Sequence, residues 1–139
     1  MHNNEGGPFG AVIVKDGKII GRGNNKVTSA NDPTAHAEVT DIRDACSAIE
    51  NFDLSGTEIY TSCEPCPMCL AAIFWARIDT IYYANTKKDA AEINFDDDFF
   101  YQEMDKPKEE RSIPMKQMMR DEATKVFQAW TNKEDKIAY

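Results

Sequence analysis

The chain has little histidine, His2 and His36 alone, and four cysteines among 139 residues. It has no apolar run that spans a bilayer. The longest, CLAAIFWA from Cys69 to Ala76, is well short of the ~20 residues a spanning helix needs. The N-terminus, MHNNEGGPFG, has neither a basic segment nor an apolar core, so nothing in it signals export. A basic stripe is missing as well: the net charge is −8, and residues 89–112 hold nine acidic and three basic side chains. Proteins that grip nucleic acid neutralise phosphates with Lys and Arg, so a polynucleotide partner is disfavoured. The cysteines are too few for a disulfide framework, and three of them cluster. That pattern suits metal thiolates in a reducing compartment, so a cytoplasmic location without membrane association is expected. There is no internal repeat and no linker composition, and 139 residues fit one domain, 1–139, with its own core.

What is present alternates between strand and helix patterns. FGAVIVKDGKIIGRG reads as a hairpin, with β-rich runs over 9–15 and 18–22 around Asp16-Gly17, a type I′ turn signal. NKVTSANDP reads as loop, ending at a helix start with Asp32 as N-cap and Pro33 at the first helical position. In that helix Val39, Ile42, Cys46 and Ile49 fall on one face, with Cys46 a buried small hydrophobe. A strand over 56–62 follows, then a helix opened by Pro65 and running to about Arg77, then a strand over 79–85. DAAEIN reads as one or two helical turns, FDDDFFYQEMDKPKEERSIP as irregular loop, and IPMKQMM as a last strand. The final helix, in DEATKVFQAWTNKEDK, has Ala123, Val126, Phe127 and Trp130 on its inner face. One sheet with helices over it, an α/β class, is the expected outcome.

The chemistry concentrates in TSCEPCPMC, residues 61–69, where Cys63, Cys66 and Cys69 recur every third residue. Cys66 and Cys69, three apart at a helix start, project to the same side and can share one ion. His36 also sits near the start of a helix. Two helix N-termini aimed at one spot favour thiolates and other anions. Cys and His ligands select zinc over magnesium or calcium. Two arrangements compete: a closed structural site using Cys63 as fourth ligand, and an open catalytic one. Glu38, two residues from His36, is a ligand, a surface charge, or the proton shuttle for a metal-activated water.

HAE at 36–38 followed by PCPMC at 65–69 resembles the H-x-E…P-C-x-x-C signature of the zinc nucleoside and nucleobase deaminases. The resemblance implies one Zn²⁺ per chain on His36, Cys66 and Cys69, water as fourth ligand, Glu38 as acid/base, and Cys63 outside the ligand set. It also implies a three-layer α/β/α fold with a central mixed five-stranded sheet and helices on both faces. Such deaminases carry a helix before GGPFG, whereas only six residues precede Gly7 here.

A fuller similarity, to the bacterial guanine deaminases, rests on DAAEINFDD, DKPKEER, FQAW and the terminal tyrosine, outside the shared signature. It implies a nucleobase substrate, with guanine hydrolysed to xanthine and ammonia. Asn25 would bind the purine edge; Phe9 and Trp75 would line or stack on the base. Asp97 would be a second catalytic carboxylate, with Asp96 and Asp98 as neighbours that only alignment separates from it. A homodimer is implied, with residues 120–139 swapped onto a partner and Tyr139 closing the partner's pocket. Trp130 is read as packing, Asp41 as solvent-facing and His2 as irrelevant. Cytosine, cytidine or tRNA adenosine deamination are the rivals within this chemistry, the last disfavoured by the −8 charge. A non-catalytic zinc-stabilised binding protein is the rival outside it.

Overall fold

A computed structural model of the chain describes residues 5–139, and His2 lies outside the described residues. The described chain divides into two compact units, the boundary falling between Phe99 and Phe100.

The first unit is built on a hairpin. Strands β1 (Gly10–Lys15) and β2 (Lys18–Asn24) pair antiparallel, and Asp16 and Gly17 both take positive φ, 50° and 73°. That is the mirror-image turn whose twist matches the flanking strands. Strand β3 (Thr57–Cys63) pairs antiparallel with β1 and parallel with β4 (Thr80–Asn85). The sheet is therefore mixed, but it has four strands in the order β2-β1-β3-β4, not the expected five. The missing strand is IPMKQMM, which is irregular and exposed throughout. It includes Pro114, which has no N–H for a ladder, and no described strand pairs with it.

Helix α1 (Val27–Ala30) is one turn inside the expected loop. Helix α2 (Ala37–Ile49) begins later than the sequence suggests, with His36 as N-cap. Asp32 instead spends its Oδ1 on Thr34, accepting from the backbone N at 2.8 Å and the hydroxyl at 2.7 Å. A short polar side chain that closes its own turn two residues on no longer caps a helix. The buried stripe of α2 is Ala37, Glu38, Asp41 and Ala45, while Ile42, Cys46 and Ile49 are half-buried at the core margin. Asp41, expected in solvent, is wholly buried.

The reason lies on β2. A Cβ at Gly23 would stand 2.0 Å from the Ala37 carbonyl oxygen, and one at Gly21 would stand 2.5 Å from Asp41 Oδ1. These two glycines let α2 press its backbone onto the strand, which turns positions 37, 41 and 45 inward. Helix α3 (Pro67–Trp75) packs on α2. The core beneath them contains Ile13, Leu54, Ile59 and Ile73. The face opposite α2 carries Tyr60 and Tyr82, stacked at 4.7 Å and both exposed.

Helix α4 (Lys87–Glu92) follows β4 as expected. Helix α5 (Asp98–Asp105) replaces part of the expected loop, and a 3₁₀ turn spans Lys108–Glu110. In the second unit, α6 (Arg120–Asn132) forms as predicted. Its apolar face does not form an inner surface: Val126 and Phe127 are 67% and 75% exposed, and Trp130 is 44% exposed rather than packed.

Candidate active site

Three side chains meet where two helices begin. His36 and Cys66 are the N-caps of α2 and α3, both in extended backbone conformation, and neither side chain caps its own helix. Freed from that role, they turn towards one another, and Cys69 joins them from the first turn of α3. His36 Nδ1 lies 3.6 Å from Cys66 Sγ and 3.5 Å from Cys69 Sγ. A zinc–nitrogen bond of about 2.05 Å and a zinc–sulfur bond of about 2.3 Å at the tetrahedral angle separate N and S by about 3.6 Å. The cradle fits zinc. Cys63 turns away, with its Sγ 3.6 Å from the Thr86 carbonyl oxygen.

The electrostatics of the trio are those of two thiols and an imidazole in close contact. Its hydrogen bond with Cys69 holds the Cys66 thiol far below its ordinary value, and the His36 ring adds to this. Sharing with Cys66, burial and the nearby Glu38 charge push the Cys69 thiol up in turn. The contact with Cys66 also raises His36. A divalent ion resolves this conflict by replacing the shared proton.

Glu38, in the first turn of α2, is 6% exposed, and its Oε1 accepts a 3.1 Å hydrogen bond from the Thr61 hydroxyl. Thr61 sits at an inward position of β3, facing the helix that carries Glu38. Sequence reasoning missed it, although the alternation of β3 marks that face.

Beside the trio lies a cleft of about 600 Å³ lined by Gly7, Phe9, Asn25, Val27, His36 and Phe95 among others. Two expected residues are therefore here. Asn25 is 6% exposed, and its Oδ1 accepts from Gly7 N and Val27 N, each at 3.2 Å. Those two amides fix the orientation of the side chain and commit its oxygen. Phe9 meets Phe95 edge to face, with ring centroids 4.9 Å apart. Phe95 was not foreseen; its only mark in the sequence is its place just before the acidic triplet.

Within the triplet the residues differ. Asp97 is half-buried while Asp96 and Asp98 are exposed, and Asp96 Oδ1 accepts from Asp98 N at 3.0 Å at the start of α5. Burial, then the charge of Cys66, raises the Asp97 carboxyl. Trp75 is not brought to this cleft. It is 67% exposed at the end of α3 and lines a separate shallow hollow with Ala71, Phe74 and Arg77. Tyr139 belongs to the second unit and is 72% exposed.

Comparison with known proteins agrees with this geometry. Residues 1–85 match the cytidine and deoxycytidylate deaminase zinc-binding region. The chain is 58% identical over 134 residues to the guanine deaminase of Bacillus subtilis, covering 96% of this chain and 86% of that protein. The X-ray structure of guanine deaminase from that organism superposes with a TM-score of 0.96 at 56% identity, covering 99% of this chain and 88% of the other. A tRNA-specific adenosine deaminase of Agrobacterium fabrum is 50% identical, but over 76 residues only, which is 55% of this chain and 50% of that protein.

Proposed function

The chain belongs to the family defined by the cytidine and deoxycytidylate deaminase zinc-binding region, and on that premise we propose that it is a zinc-dependent aminohydrolase converting guanine to xanthine and ammonia. The observation that carries the substrate is the extent of similarity. Likeness to the tRNA deaminase ends after 76 residues, whereas likeness to the guanine deaminase runs over 134.

When bound by His36, Cys66 and Cys69, zinc lowers the pKa of water to about 7, so that a nucleophile forms at neutral pH. The chain's own groups manage the rest. Thr61 holds one oxygen of the Glu38 carboxylate, leaving the other to take a proton from the attacking water and return it to the leaving amine. The water oxygen adds at C2 of the base, the C2–amine bond breaks, and ammonia leaves with the returned proton. Burial of Glu38 keeps that proton from exchanging with solvent during the transfer.

Base recognition follows from which atoms remain available. With the Asn25 oxygen committed to two backbone amides, its Nδ2 is the group left to donate to a purine acceptor. Asp97, acceptor-only when ionised, suits the adjacent N1–H and 2-amine donors of guanine, where cytosine pairs its amine with an acceptor ring nitrogen. Phe9 and Phe95 flank the ring.

The protein acts as a homodimer in the cytoplasm, with residues 120–139 exchanged and Tyr139 closing the partner's pocket. No residue from Phe100 to Tyr139 is buried within one chain, and α6 presents an unpartnered apolar face, which supports this reading. Trp75, exposed beside Phe74, is read as an interface residue and not as part of its own chain's pocket.

The test is ammonia release from zinc-loaded protein given guanine, cytosine, cytidine and adenine side by side. Turnover of guanine alone is expected. Turnover confined to a pyrimidine keeps the chemistry and overturns the substrate. Inactivity on all four, from folded and zinc-replete protein, favours the non-catalytic binding protein.

A further inference from the structure

Between Cys63 and Cys66, the zinc loop contains a residue that the chemistry above does not use. The side chain of Glu64 crosses to the next element, where its Oε2 accepts from Lys87 N, the first amide of α4, at 3.0 Å. Its own backbone N donates to the Asn85 carbonyl at the end of β4, at 2.8 Å. The neighbouring Cys63 Sγ lies against the Thr86 carbonyl. One short stretch of the zinc loop thus holds three successive residues, 85, 86 and 87.

What α4 does next gives this clamp a purpose. Its first turn is locked by a capping box between Thr86 and Asp89, with Asp89 Oδ2 accepting from Thr86 N at 2.7 Å. Its end is locked too. Asn94 takes φ 69°, Phe95 N donates to the Ala90 carbonyl, and Asn94 N donates to the Ala91 carbonyl, each at 3.0 Å. That pair of bonds is the Schellman closure, which fixes the residue leaving a helix. The helix is therefore a short rigid rod. It is anchored to the zinc loop at one end and delivers Phe95, then Asp97 two residues later, to the cleft side at the other.

We propose that Glu64 is a positioning residue: by accepting from the first amide of α4, it sets Phe95 and Asp97 relative to the zinc cradle. The role assigned to those two side chains rests on the guanine reading; the clamp itself does not. Because Glu64 acts as a hydrogen-bond acceptor, a glutamine oxygen serves equally well, whereas alanine leaves the Lys87 amide without this partner.

The experiment compares Glu64→Ala and Glu64→Gln with the parent, in full-length, zinc-loaded protein. Amide hydrogen exchange over residues 86–97 and the zinc content are read beside the KM and kcat for guanine. Glu64→Ala is expected to speed exchange in that segment, keep one zinc per chain, and raise KM by about tenfold, the loss of one hydrogen bond. Glu64→Gln is expected to return both exchange and KM to the parent values. Adding Asp97→Asn to Glu64→Ala should cost less than the product of the two single losses, since both act through one group.

Unchanged exchange in Glu64→Ala overturns the proposal, as does zinc loss in step with activity or a Gln variant as impaired as the Ala variant. If the parent does not turn over guanine, the reading of function fails. The exchange arm then still decides the clamp.

Discussion

The two units of this chain solve opposite problems. The first buries Ile13, Leu54, Ile59 and Ile73 under α2 and α3 and brings three metal ligands to one point. The second, from Phe100 onward, has no buried residue, and its apolar side chains Phe127, Met118 and Ile113 are each at least 75% exposed. A core of its own thus holds the reacting groups of the first unit in place, while the second has apolar surface and nothing of its own to cover it. Catalytic geometry is encoded within one chain, and in the proposed dimer a second copy covers α6.

The sharpest way to break this contrast is to remove a ligand from the self-sufficient unit. Cys66→Ala should lose zinc and all measurable turnover, and lower the melting temperature, because metal binding and folding share one free energy. A variant that keeps full zinc would show that the cradle is elsewhere. Next in size, Val126→Asp with Phe127→Asp puts charge on the apolar face of α6. Sedimentation should report monomer, with kcat/KM for guanine down by at least about tenfold and zinc content unchanged. A fully active monomer would refute the exchange of residues 120–139.

Within the first unit, Asp97→Asn should lower kcat/KM by about 10–100-fold and leave the zinc content intact, the usual cost of losing a hydrogen bond to a charged group. Equal losses from Asp96→Asn would remove Asp97's distinction as the half-buried member of the triplet.

The smallest effect concerns Asp41. Its two oxygens find no hydrogen-bond partner, and burial, with Asp44 and Glu38 nearby, pushes its carboxyl up to about 7; Arg22 offsets only part of this. An unfolded aspartate titrates near 3.9, so between about pH 4 and 7 the folded state holds more protons than the unfolded one. This group's contribution to stability is full below about pH 4 and lost as pH rises through 7. Asp41→Asn should flatten that slope and stabilise the protein by about 1–3 kcal/mol at pH 8. Urea unfolding at pH 5 and 8 measures it, and identical slopes in both proteins would place the buried charge elsewhere.

The difference between the units also explains what was legible in the sequence. Asp16-Gly17 announced the hairpin because a turn type is a local property, and the zinc trio was legible because ligands are chosen by chemistry and spacing. The start of α2 was misplaced because Asp32 satisfies its own turn, a competition decided by geometry. Asp41 looked like a solvent charge on a helix. The signal that it was not sits twenty residues away, in Gly21 and Gly23 on the facing strand. Phe95 and Glu64 were silent for a similar reason: each matters through a neighbour that only the folded chain supplies. The fifth strand failed because a strand is defined by its partner, and IPMKQMM has none within the described sheet.

The most direct test of the account is guanine turnover by Glu38→Gln, measured beside its zinc content. The account predicts one zinc per chain, an unchanged fold and a kcat lower by about 10²–10⁴-fold, since the cradle persists and the proton shuttle is gone. Turnover near the parent rate with zinc retained would contradict it, because proton transfer at this site would then not depend on the carboxylate buried against Thr61.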